Sequence, residues 1–171
     1  KYFNEKGKVF FNHLNSDHFC TFLYFIGNSA FKLNADKTFL DKIFFLNKIL
    51  NSVDIFYSVE LPSIFALAHP VGTVLGNASY QDYLYVYQNV TIGSTKEGVY
   101  PIFGEGIACF SNTSVIGDCK IGSNVIFTAN STIINKDIPD NSMVTGYYPD
   151  NRVIANKKPV INRLFEVDNT I

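Results

Sequence analysis

The sequence predicts a mainly β protein, a parallel β-helix built from six-residue repeats, preceded by an α-helical segment. Three observations carry this. Val74, Tyr80, Val86 and Ile92 stand six residues apart, and after one break Phe103, Cys109, Val115, Ile121, Phe127 and Ile133 do so again. A second series follows four residues behind, mostly small or β-branched: Ala78, Leu84, Val90, Ile107, Thr113, Cys119, Val125 and Ser131. Before Val53 this period is absent, and apolar residues fall at helical spacing.

Residues 1–16 follow neither period. A first helix is expected from Asp17 to about Leu33, interrupted or kinked near Gly27-Asn28. A second follows Asp36, which reads as an N-cap. Its stripe is Phe39, Leu40, Ile43, Phe44, Leu46 and Leu50, and Asn51-Ser52 is a reasonable stop. The chain therefore divides into a helical N-terminal segment (1–52), the β-helix (53–154) and a C-terminal tail (155–171).

Within the β-helix each six-residue unit is a short strand and a turn. Three units close one triangular coil, with the apolar position pointing inward. Gly72, Gly76, Gly93, Gly104, Gly117 and Gly122 fit the tight corners, where positive φ is often needed. Asn89, Asn112, Asn124 and Asn130 tolerate that conformation too. From Ile92 to Phe103 the count is eleven, so about five residues bulge out within Ser94–Pro101. A loop extruded from a rigid scaffold is a usual carrier of function.

Composition bounds the function. The chain has 171 residues, a length that fits one domain, and 47% are hydrophobic, enough for a core. The formal net charge is -1 with no basic stripe, which argues against a nucleic-acid surface. Cys20, Cys109 and Cys119 show neither disulfide nor zinc spacing, and they read as reduced thiols in a cytoplasmic protein. The apolar run Phe19–Ile26 is too short to span a bilayer, and no leader pattern precedes it. Met143 is the only methionine, so the sequence begins without an initiator and leaves room for a further N-terminal piece.

Several residues resemble the serine acetyltransferase branch of the hexapeptide-repeat acetyltransferases. Val53-Asp54-Ile55 looks like the opening of that family's β-helix. Counting on without a gap, His69 falls on the family's catalytic histidine, followed by the corner Thr73-Val74-Leu75-Gly76. Gln88-Asn89-Val90-Thr91-Ile92-Gly93 looks like the stretch before the family's extruded loop. Asn135-Lys136-Asp137-Ile138-Pro139, then Gly146-Tyr147-Tyr148-Pro149, looks like its closing coil and turn. The resemblance covers about residues 53–154 and implies a left-handed parallel β-helix, an acetyl-CoA co-substrate, no metal and a homotrimer.

The departures bear on the acceptor. The family's aspartate before the histidine is Ala68 here, and its Arg-His pair before a proline is Val99-Tyr100. These positions would bind the acceptor, and uncharged side chains there suit a zwitterion poorly. Tyr100 offers a ring and a hydroxyl, which suit a sugar.

The expected function is O-acetylation of a small hydroxylated acceptor, with a sugar of a surface polysaccharide pathway as the leading reading. Serine O-acetylation is the alternative, and N-acetylation of an amino sugar also stays open. The non-enzyme alternative is a β-helical scaffold or binding module that has lost activity. A hydroxyl needs a base to become a nucleophile, and His69 is the one histidine of the repeat region. Three metal-binding histidines are thus missing, which argues against zinc hydration chemistry. Asp54, fifteen residues earlier, falls in the adjacent coil of about eighteen residues and would orient it, with Glu60 as fallback. Cys109 and Cys119 fall inward and read as core, whereas Tyr83, Tyr85 and Tyr87 read as an outer aromatic surface, for subunit contact first and as a sugar platform second. By resemblance, acetyl-CoA would lie between neighbouring prisms against Gly93, Ser94, Ser111, Asn112, Ala129 and Asn130. Lys136, Arg152, Lys157 and Lys158 could reach its phosphates.

Overall fold

The computed structural model describes residues 4–5, 8–96 and 98–165; Glu97 of the insert and residues 166–171 of the tail lie outside them. A short antiparallel pair, β1 (Asn4–Glu5) and β2 (Lys8–Val9), precedes two helices, α1 (Ser16–Lys32) and α2 (Lys37–Asn51). The Asn15 side chain caps α1 by accepting the Asp17 and His18 N–H groups. Asp36 caps α2, and Ser52 ends it in the left-handed conformation.

Helix α1 runs unbroken through Gly27-Asn28, where a kink was expected. The Asn28 amide donates to the Tyr57 and Val59 carbonyls (3.0 and 3.2 Å). The polar pair is thus satisfied by tertiary bonds, and the helix needs no break. Tyr24 of α1 donates its hydroxyl proton to Val59 O and accepts the Leu61 N–H, and Tyr24 and Phe25 pack on Phe65.

Twelve short strands then wind as a solenoid. They are β3 (Asp54–Ile55), β4 (Phe65–Leu67), β5 (Val74–Leu75), β6 (Leu84–Val86), β7 (Thr91–Gly93) and β8 (Ile102–Phe103), then β9 (Ile107–Cys109), β10 (Ser114–Ile116), β11 (Lys120–Ile121), β12 (Val125–Phe127), β13 (Thr132–Ile134) and β14 (Ser142–Thr145). They form three parallel faces, β3-β5-β7-β10-β13, β4-β6-β9-β12-β14 and β8-β11. Ile107 pairs with Val125 and Ser114 with Thr132, eighteen residues apart, one coil. Thr91 pairs with Ser114, twenty-three residues on, so the insert adds the expected five.

Every residue of the second series is buried, and so is every residue of the first except Val74, which is 39% exposed. Leu75 takes the inward place instead. The slip arises at the turn after β5, where Leu75, level with Ile92, stands five residues before Tyr80 instead of six. The corner before β5 is irregular as well. Leu67 and Val74 are two residues further apart than Val86 and Thr91, their partners in register. Each fully buried large side chain contributes about 1.5–3 kcal/mol, so the inward columns hold the stack together.

Asn89, Asn112, Asn124 and Asn130 all have positive φ, as their type allows. Of the six corner glycines only Gly72 and Gly117 do. At Gly122 the constraint is space: a Cβ would lie 2.5 Å from the Asp140 backbone nitrogen of the next coil.

At the far end β15 (Arg152–Ala155) turns back antiparallel on β14. Gly146 O accepts the Thr132 N–H, and Ile121 bridges to Ile138. A short helix, α3 (Val160–Leu164), then lays Val160 on Ala68, Tyr85, Ala108 and Ile126. Phe165 meets Tyr83 and Tyr85 edge-on, and Tyr87 stacks on Phe110. The chain's own C-terminal segment thus covers part of the outer aromatic surface that was expected to be a subunit contact, at Tyr83 and Tyr85.

Candidate functional site

One column of corners runs the length of the solenoid. Asn89 N–H donates to Val71 O (2.9 Å), Asn112 N–H to Gln88 O (3.1 Å) and Asn130 N–H to Ser111 O (2.9 Å). Ser111, Asn112, Ala129 and Asn130 thus stack in line under the bulged corner at residues 69–72. The wall they make consists of small side chains and backbone.

His69 stands at the head of this column. It is exposed and has φ +51°, the left-handed region. Such a conformation costs a non-glycine residue roughly 1–2 kcal/mol. His69 N–H donates to Oδ1 of Asp17 at 3.1 Å. A hydrogen bond contributes about 0.5–1.5 kcal/mol to a neutral acceptor and more to a charged one, which offsets much of the cost. Asp17 sits in the first turn of α1 and is only 6% exposed. Sequence reading missed it as a site residue, because fifty-two positions separate the two.

Asp54 does lie on the coil next to the His69 corner, since its N–H donates to Thr73 O (2.9 Å). Its carboxylate, however, is held by Lys48 at 2.6 Å and makes no ion pair with His69. Glu60 pairs with Lys32 at 2.7 Å. The structure thus engages both expected orienters elsewhere.

Gly93, Ser94 and the insert occupy the next corner along the same face. Asn89 and Ser94 are five residue steps apart across the strand, about 17 Å. Within one chain, His69 and the insert therefore stand at opposite ends of the β5–β7 face. The insert turns back on itself through Val99 N–H to Lys96 O. It walls an open hollow of about 410 Å³ lined by Thr95, Lys96, Val99, Asp118 and Asn135. Among the described residues neither Lys96 nor Asp118 is in an ion pair. Lys136 follows Asn135 at this corner, and its N–H points to the Cys119 sulfur (3.5 Å).

Two residues expected to bind the acceptor are turned elsewhere. Ala68 is 1% exposed and packs under Val160. Tyr100 lies against the solenoid core, where a Cβ on Gly76 would come within 2.8 Å of its ring. Arg152, Lys157 and Lys158 are exposed. Burial pushes the Cys20 and Cys109 thiols up to about 12 and raises that of Cys119, so none is a ready nucleophile. Among the described residues no helix is long and apolar enough to cross a membrane.

No protein-family signature matches the chain. The serine acetyltransferase of Synechococcus elongatus is 30% identical over 105 residues, 59% of this chain and 43% of the relative. That of Staphylococcus aureus strain Mu50 is 27% identical over 105 residues, 59% of this chain and 49% of the relative. This chain thus spans under half the length of these relatives. The serine acetyltransferase structure from Brucella abortus superposes with a TM-score of 0.74 at 22% identity, covering 82% of this chain and 57% of that one. That from Neisseria gonorrhoeae gives 0.74 at 24% identity, covering 86% and 57%. A Brucella abortus structure in complex with coenzyme A gives 0.74 at 20% identity, covering 84% and 58%. The chain resembles the serine acetyltransferases in sequence and shares their left-handed β-helix.

Proposed function

We propose that this chain is an acetyltransferase of the serine acetyltransferase type, moving the acetyl group of acetyl-CoA to the hydroxyl of a small acceptor with His69 as general base. One observation carries the reading. An exposed histidine heads a column of small corner residues, and an extruded insert stands at the other end of the same face. His69 takes the hydroxyl proton as the oxygen attacks the thioester carbon. The tetrahedral oxyanion is met by backbone N–H groups of the corners. It collapses with cleavage of the C–S bond, and the thiolate leaves with the proton held by His69. The products are the acetyl ester and free CoA thiol, with no covalent intermediate on the protein.

The separation of about 17 Å along the strands favours a homotrimer, in which His69 of one protomer faces the insert of the next. The corner column and the insert corner would then form the two walls of the CoA groove. The unpaired thiols of Cys20, Cys109 and Cys119 fit a reducing, cytoplasmic setting.

Serine is the better-supported acceptor, in place of the sugar that Val99-Tyr100 pointed to. The curated relatives are serine acetyltransferases. Tyr100, the expected sugar platform, is turned onto Gly76. The charges that positions 68, 99 and 100 lack are present in the hollow beside Val99, as Lys96 and Asp118. A cation and an anion in one hollow suit a zwitterion.

The test is CoA release from acetyl-CoA, measured with serine and with a panel of sugars and nucleotide sugars. Saturable serine acetylation is expected from a particle of trimer mass by light scattering. No release with any acceptor would refute the activity, and a sugar turned over faster than serine would replace the acceptor.

A further inference from the structure

We infer that Asp17 is a positioning residue for His69, so that α1 is a working part of the site. The inference rests on the acetyltransferase reading for its kinetic arm only. Three observations support it. The Asp17 carboxylate is nearly buried and makes no ion pair among the described residues. Its Oδ1 accepts the main-chain N–H of the one residue in the repeat region that can act as a base near neutral pH. That residue holds a left-handed backbone at a corner two residues longer than the one beneath it.

A longer corner has more ways to fold, and the coil below it does not specify its path. Elsewhere in the column, corner N–H groups are tied to the carbonyls of neighbouring coils, as at Asn112 and Asn130. At His69 the tie runs to a side chain from a helix outside the solenoid. The imidazole is therefore aimed from its backbone by α1. The bond needs an acceptor atom at one place, and the negative charge is secondary.

This separates two conservative substitutions. Asp17→Asn keeps an oxygen at the same distance and removes the charge. Asp17→Glu keeps the charge and moves the oxygens by one methylene. Small displacements of a reacting group cost up to about a hundredfold in rate. Asp17→Glu is expected to lower kcat at least tenfold with KM for acetyl-CoA within twofold. Asp17→Asn is expected to recover kcat to within about threefold of wild type. Hydrogen exchange of the His69 amide is expected to stay slow in wild type and Asp17→Asn and to quicken in Asp17→Glu, with both variants melting cooperatively. If Asp17→Glu retains wild-type kcat, or Asp17→Asn is the more impaired variant, the positioning role is wrong. Should wild type transfer no acetyl group, the proposed activity fails, while amide exchange still decides whether Asp17 fixes the corner.

Discussion

Lys48 in the last turn of α2 grips Asp54 of the first solenoid strand at 2.6 Å. Both side chains are more than a third exposed, so the pair itself contributes at most about 1 kcal/mol. Lys48→Met is expected to leave kcat within threefold and to lower the melting temperature by no more than about 4 °C. Asp54→Asn is expected to lower kcat/KM at least tenfold, on the proposal that the wild-type carboxylate leaves Lys48 for His69 when substrates bind. Equal, small effects of the two substitutions in steady-state assays would reduce Asp54 to a surface partner of Lys48.

His69→Ala should remove about 10²–10⁴-fold of the transfer rate. The side chain is exposed, so the thermal melt should barely move. Turnover near wild type in a folded variant would place the base elsewhere.

The thiols give a pH prediction with a definite sign. Cys20 and Cys109 have their values raised to about 12 from an unfolded value of 9.0. Their contribution to stability is full below pH 9 and is lost as pH rises toward 12, because the unfolded chain ionises first. Denaturant midpoints should therefore fall between pH 9 and 11, and less so in Cys109→Ala. A thiol reagent at pH 8 should find none of the three cysteines in the native protein and all of them in denaturant.

Gly76→Ala places a methyl group 2.7 Å from the Ile92 carbonyl and 2.8 Å from the Tyr100 ring. The carbonyl belongs to a strand ladder and cannot yield far. A loss of about 1–3 kcal/mol is expected by denaturant titration. An unchanged midpoint would mean that Tyr100 does not lie on the solenoid wall.

Val160 is fully buried although it lies in the C-terminal segment. Val160→Ala should cost about 2 kcal/mol from the lost methyl groups and the space they leave. It should also raise binding of a hydrophobic dye as the Tyr85 and Ile126 face opens. A neutral result would mean that α3 is not seated there in solution.

The solenoid was legible because each coil repeats one physical requirement, an inward apolar residue and a turn, until the period itself becomes the signal. The insert was legible to the residue, since Thr91 and Ser114 pair with five residues to spare. Val74 was misread because the turn from β5 to Tyr80 is one residue short, so a strict count of six back from Tyr80 lands one residue before the inward Leu75. Asp17 and Val160 were not legible as they act. Their partners are distant in sequence, and neither a single carboxylate nor a single valine carries any periodic mark. Gly27-Asn28 looked like a break because helix propensity knows nothing of the Tyr57 carbonyl waiting for the Asn28 amide.

The two ends of the stack are closed by different means, and this gives the molecule a definite size. Parallel rungs of equal spacing could run on into the rungs of another copy and build a fibre, as any open ladder edge invites. At the start, Tyr24 and Phe25 cover Phe65, and Ser52 O accepts the Gly72 N–H. At the finish, three different stoppers meet the three faces: the Gly146 carbonyl on β13, Ile138 on β11 and the reversed strand β15 on β14. A newcomer arriving at β15 finds its direction wrong for the next rung. The regular parallel stack is thus interrupted at both ends, and the sides of the prism are the continuous surfaces on which copies can meet.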